Sequence, residues 1–148
     1  MAISLDAQLD AQAWLDAFDT IVSSFEDLEP LFDEIVEDFV IPSIKNIFDT
    51  DGLDTWAASS WSLTLLRDTY NLYNSLTDLG HSENVYDPDE KSFLFDSNVE
   101  YFHFHELGSV DVPARPILGL VDPEDPAVSR IVSSWAENIV SQALASVR

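Results

Sequence analysis

Acidic residues sit on nearly every predicted polar face of this chain, and apolar residues recur between them at spacings of three and four, which predicts that much of the fold is helices with one apolar face. From about Asp10 the residues Trp14, Phe18, Ile21, Val22 and Phe25 predict one such helix, with Asp16, Asp19, Glu26 and Asp27 on its polar side. Pro30 restarts the pattern, because proline suits a first helical turn and not an interior. A second helix then runs through Leu31, Phe32, Ile35, Val36, Phe39 and Val40, with Pro42 at a kink before Ile44, Ile47 and Phe48. Ahead of both, Ile3 and Leu5 alternate with Ser4 and Asp6, which predicts a short strand. Asp49-Thr50-Asp51-Gly52-Leu53-Asp54 is a helix-ending turn. Read as a calcium loop from Asp49, it would place Ser60 where the bidentate acid belongs.

The second half changes period. After Trp56 and Trp61, Leu63 to Tyr73 reads as helical at its start. Ser75 to Tyr86 and Lys91 to Asp96 read as strands of a hairpin joined by Asp87-Pro88-Asp89-Glu90, with Phe93-Leu94-Phe95 buried. The aromatic-rich stretch Val99 to Leu107 is punctuated by Gly108. Ile117-Leu118-Gly119-Leu120 follows two prolines and reads as an edge strand or extended arm. Asp122-Pro123-Glu124-Asp125-Pro126 starts a last helix through Val128, Ile131, Val132, Trp135, Ile139, Val140 and Leu144, with Arg148 at the negative end of its dipole. The expected fold is one α+β domain over residues 1–148, with N-terminal amphipathic helices, a small antiparallel β-sheet with a hairpin, and a C-terminal helix.

The charge balance narrows the partners. The 148 residues carry 28 acids, 6 Lys plus Arg and a net charge of -22, yet 46% are hydrophobic and none is Cys. A chain of this length buries roughly 70% of its unfolded surface and needs no disulfide or metal to hold a core. Lys45, Arg67, Lys91, Arg115, Arg130 and Arg148 are scattered, so no basic patch exists for nucleic acid, and an anionic membrane would repel the surface. No apolar run approaches ~20 residues, and the N-terminus lacks the charged and apolar regions of a signal peptide. Molar salt suits such acidity, because a Debye length of about 3 Å screens the repulsion. The composition reads as that of a protein from an extreme halophile, or from a virus of one. An ordinary acidic protein and a DNA mimic are the alternatives.

Chemistry is sparsely signalled. On a strand His103 and His105 would share a face and could share a cation, with Glu106 on the opposite face and no evident third ligand. No nucleophile elbow, phosphate loop or zinc-helix motif is present. A small metal-dependent halophilic enzyme is therefore the less favoured alternative, and no catalytic residue, metal or cofactor is assigned. Arg115, held between Pro113 and Pro116, reads either as a planar clamp for a neighbouring subunit's carboxylate or as half of an intrachain salt bridge.

Tyr101-Phe102-His103-Phe104-His105-Glu106-Leu107-Gly108, followed by Val112-Pro113-Ala114-Arg115-Pro116-Ile117-Leu118-Gly119-Leu120, resembles the tail completion (virion morphogenesis) family of tailed phages. In that family a Tyr-Ala-x-x-His-x-x-Gly stretch precedes Ile-Pro-Ala-Arg-Pro-Phe-Leu-Gly and a C-terminal helix. Asp68-Thr69-Tyr70-Asn71-Leu72-Tyr73-Asn74-Ser75-Leu76 is similar to the family's hairpin entry, and Ile47-Phe48 through Trp56 to its Phe, Gly and Trp stretch. The likeness spans roughly residues 44 to 145. Tyr70 stands where the family has Gly, which predicts a backbone without positive φ there, and Phe102 and Ile117 replace Ala and Phe. The resemblance implies a structural virion protein assembled in the host cytoplasm as a ring of six copies. The ring would sit at the neck, between the tail tube protein and head-tail connector or adaptor proteins, with DNA passing through its lumen. A connector or stopper ring is the neighbouring alternative. By position, Tyr101, His105, Gly108, Pro113, Arg115 and Pro116 would shape a loop and arm at a subunit or neck contact.

Overall fold

In the computed structural model, residues 2–58, 66–67 and 70–147 are described, the first nine of them as backbone only. The fold is α+β. Helix α1 (Ala2–Glu26) leads into α2 (Glu29–Ile35), a π turn (Val36–Val40) and α3 (Ile41–Asp49). The expected strand at Ile3 and Leu5 is the first turn of α1. Ala, Leu and Gln dominate that stretch and favour helix over a brief alternation.

Pro30 lies in the first turn of α2, as its chemistry requires. Pro42 has no N–H for the carbonyl four residues back. The ladder widens just before it, where the Ile41 N–H reaches the Val36 carbonyl five residues back. This α2–π–α3 rod buries Leu31, Phe32, Ile35, Val36, Phe39, Val40, Ile41, Ile44, Ile47 and Phe48, and is the spine of the core.

Helix α4 (Asn71–Thr77) takes the first part of the segment expected to be a strand from Ser75. Leu72, Ser75 and Leu76 are all buried, and an i, i+3, i+4 set shares one face of a helix but not of a strand. The expected helix start at Leu63 and the side chain of Trp61 fall outside the described residues. Tyr70 precedes α4 at φ 57°, in the left-handed region, contrary to the expectation from its replacing glycine.

A hairpin forms, shorter and shifted from the expected one: β1 (Asn84–Pro88) pairs antiparallel with β2 (Phe93–Ser97), from Pro88 opposite Phe93 to Asn84 opposite Ser97. Asp87 and Pro88 therefore belong to the strand and not to the turn, and of the run expected to be buried Phe93 and Phe95 are half-buried while Leu94 is exposed. The Asp89 carboxylate accepts from the Lys91 and Ser92 amides and shapes the tip. That tip docks on the α1–α2 junction, where Leu28 N–H donates to the Glu90 carbonyl and Lys91 Nζ to the Glu26 carbonyl. Buried Ser75 and Ser97 hydrogen-bond each other at 2.7 Å, so the polar pair joining α4 to β2 is satisfied.

Val99 to Leu107 is not a strand: α5 (Phe102–Leu107) is a short helix that buries Phe102. Ile117 to Leu120 is neither an edge strand nor an extended arm, because Leu118–Leu120 forms a single 3₁₀ turn. Helix α6 (Pro126–Ala145) starts as expected, with Asp125 accepting from the Ala127 N–H at 2.8 Å. It packs along α1, and Phe25 meets Trp135 edge-on at 5.5 Å.

Candidate functional site

Three segments far apart in sequence close on one another around α5. The first ends α3. Asp51, Gly52, Leu53 and Asp54 all have positive φ, and a Cβ on Gly52 would overlap the Trp56 ring, so this tight reversal seats Trp56 where it is. The buried Trp56 ring stacks edge-on with Phe48, and its Nε1–H donates to the Pro116 carbonyl at 2.9 Å. The second segment is α5 with Gly108. The third is 113–119, returning beside it.

Gly108 ends α5 at φ 74°, ψ 170°, with Ala114 so close that a Cβ would lie 2.8 Å from its backbone nitrogen. Beyond that contact the Arg115 N–H donates to the His105 carbonyl at 2.7 Å, and Ser109 N–H to the Val112 carbonyl at 2.8 Å. The 108–114 loop is thus closed at both ends. Glu106 completes the arrangement: its carboxylate accepts from the Ile117 N–H at 2.6 Å, Leu118 N–H at 3.3 Å and Gly119 N–H at 2.7 Å. That capture turns the segment into a 3₁₀ turn. Reading the histidines on a strand hid this role, since it considered Glu106 only as a residue on the face opposite them. Glu106→Ala leaves three amides without that acceptor and is expected to cost about 2 kcal/mol of unfolding free energy in chemical denaturation, with Glu106→Gln recovering part.

Arg115 is buried, and its partners differ from both expectations. Nε and Nη2 donate to the Ala57 carbonyl at 3.0 and 2.8 Å, and Nη2 also approaches the Ala58 carbonyl at 3.4 Å. Among the described residues its partners are these backbone carbonyls and no carboxylate. It ties the chain after Trp56 to the arm.

His103 and His105 are two residues apart on a helix, so their side chains project about 200° apart and share no face. Among the described residues no three His, Asp or Glu side chains converge as metal ligands. His105 packs edge-on under Tyr101 at 5.8 Å, and its buried Nδ1 has no hydrogen-bond partner among the described residues. Burial, and then the nearby Arg115 charge, hold its pKa below the ordinary value of 6.5. The folded state therefore binds the proton less readily than the unfolded chain, and stability falls as pH drops through and below about 6.5. Denaturation midpoints of wild type and His105→Asn are expected to converge between pH 7.5 and about 5, wild type losing more of its lead as the histidine is forced to charge.

Of the residues expected at a contact, His105, Gly108, Arg115 and Pro116 belong to this hydrogen-bonded unit, while Tyr101 and Pro113 remain exposed at its edge. Sequence reasoning missed the outward side. Tyr101, Phe104 and Leu107 are 40%, 61% and 78% exposed, an apolar row that the three-residue spacing could have signalled had the segment been read as a helix, and Val110 in the loop beyond is fully exposed. No protein-family model, curated protein or solved structure matches this chain.

Proposed function

We propose that the protein is a structural component of a virion neck, a tail-completion or terminator ring that joins a tail to its head connector and performs no reaction. The observation that carries this reading is the union of the resembling segments. Trp56, α5 with Gly108, and the Pro113 to Pro116 arm lock into one rigid unit through backbone carbonyls, and that unit turns Tyr101, Phe104, Leu107 and Val110 outward. A rigid scaffold with an apolar outer side suits docking. The left-handed Tyr70 adds support, because the family's glycine position carries here the conformation that glycine favours.

In this reading the partners are further copies of the chain in a six-membered ring, the tail tube protein and a connector or adaptor. The acidic lumen lets DNA pass without holding it. At -22 per copy, a ring is stable only where salt screens it. Sedimentation in molar salt is expected to show a closed oligomer that dissociates as salt is dialysed away. A monomer at every concentration and salt would remove the ring.

A further inference from the structure

The chain between α3 and Trp56 holds more left-handed backbone than a helix end requires. Asp51, Gly52, Leu53 and Asp54 have φ of 49°, 70°, 55° and 65°. One such residue suffices to end α3. The Asp51 N–H donates to the Phe48 carbonyl at 3.3 Å and the Gly52 N–H to the Ile47 carbonyl at 2.7 Å, the paired bonds that close a helix around a left-handed residue. Gly52 continues without steric cost. Leu53 and Asp54 are in excess of the cap. An L-residue in this region is disfavoured roughly 5- to 30-fold, and Leu lacks the short polar side chain that eases the conformation. The Leu53 side chain is 43% exposed, so deep packing does not offset it.

The turn is strung between two anchors. On one side Ile44, Ile47 and Phe48 fix α3 in the core. On the other, the buried Trp56 ring occupies the space a Cβ on Gly52 would need, its Nε1–H is held by the Pro116 carbonyl, and Arg115 grips the Ala57 carbonyl. Within it, the Asp54 N–H donates to the Thr50 carbonyl at 2.8 Å and the Trp56 N–H to the Asp51 carbonyl at 3.1 Å. We infer that Leu53 and Asp54 form a strained link held wound by the arm, and that the link leaves the left-handed region when residues 115–116 move off Ala57 and Trp56. The end of α3 and the arm are then one two-state device. A partner that draws the arm away also reshapes the chain from Asp51 to Ala57, and the stored strain lowers the cost of that release. The device does not depend on the neck reading.

The test compares Leu53→Gly with Leu53→Ala. Both remove the side chain, but only glycine relieves the backbone, whereas at right-handed or extended positions glycine is the less stable of the two. In the otherwise wild-type chain Leu53→Gly is expected to be the more stable, with an unfolding equilibrium constant about fivefold smaller in denaturant titrations in molar salt. In an Arg115→Ala background the order should revert, with glycine below alanine. Trp56→Phe, which keeps an aromatic ring and loses the bond to Pro116, is the second background and should shrink the gap even where Arg115→Ala does not fold. Glycine no better than alanine in the wild-type chain would overturn the strain. Glycine better by the same factor in every background that folds would leave the turn to its own hydrogen bonds and overturn the coupling to the arm.

Discussion

Arg115→Ala is expected to lower the unfolding free energy by about 3 kcal/mol, which for a chain of this size lowers Tm by roughly 6–12 °C. The guanidinium is buried and makes two hydrogen bonds to the Ala57 carbonyl, with a third oxygen at Ala58. Removing it takes these hydrogen bonds from the Ala57 and Ala58 carbonyls and leaves a void where the buried side chain lay, one residue from Pro116, whose carbonyl accepts from Trp56 Nε1. Arg115→Lys should recover only part, since an ammonium cannot reproduce the planar fork that holds one carbonyl through Nε and Nη2. Thermal unfolding in molar salt reads this directly. Intact folding with abolished assembly would instead return Arg115 to a role between subunits.

Gly108→Ala is the second large effect, about 3 kcal/mol. Its φ and ψ fall in a region that is essentially glycine's alone, which costs an L-residue roughly 1–3 kcal/mol before any contact is considered. The added Cβ would also press on the Ala114 backbone nitrogen, and that backbone cannot withdraw without breaking the adjoining Arg115 N–H bond to His105. Gly80→Ala is the matched control. Its Cβ would meet only the exposed Asp78 carboxylate at 3.3 Å, which can swing aside, so a change under about 1 kcal/mol is expected. Equal losses at the two glycines would contradict the closed loop described around Gly108.

These effects mark where the sequence was legible. The α2–π–α3 rod was readable because Leu31 to Phe48 repeats the helical period on a buried face, and α6 because Asp125 and Pro126 are a helix start in chemical terms. Helix α1 was readable as a helix but not in its facing. Its large apolar side lies outward, and periodicity reports only that a face is apolar, not which neighbour covers it. The segments 75–77, 99–107 and 117–120 were misread because short aromatic and apolar runs fit a strand as well as a helix. What decided them was distant in sequence: the buried pair Leu72 and Leu76 against the rod, and the Glu106 carboxylate gathering amides eleven to thirteen residues ahead. Arg115 shows the same limit. Its scarcity drew attention to it, but its partners are backbone carbonyls 57 and 58 residues earlier, which no side-chain pattern announces.

The claim that this is a neck protein is tested most directly by labelling. Antibody against the folded chain, coupled to gold and applied in molar salt to intact particles and to particles with head and tail separated, should mark a single band at the junction of head and tail. Gold absent from virions, or spread along the tail or over the capsid, would contradict it.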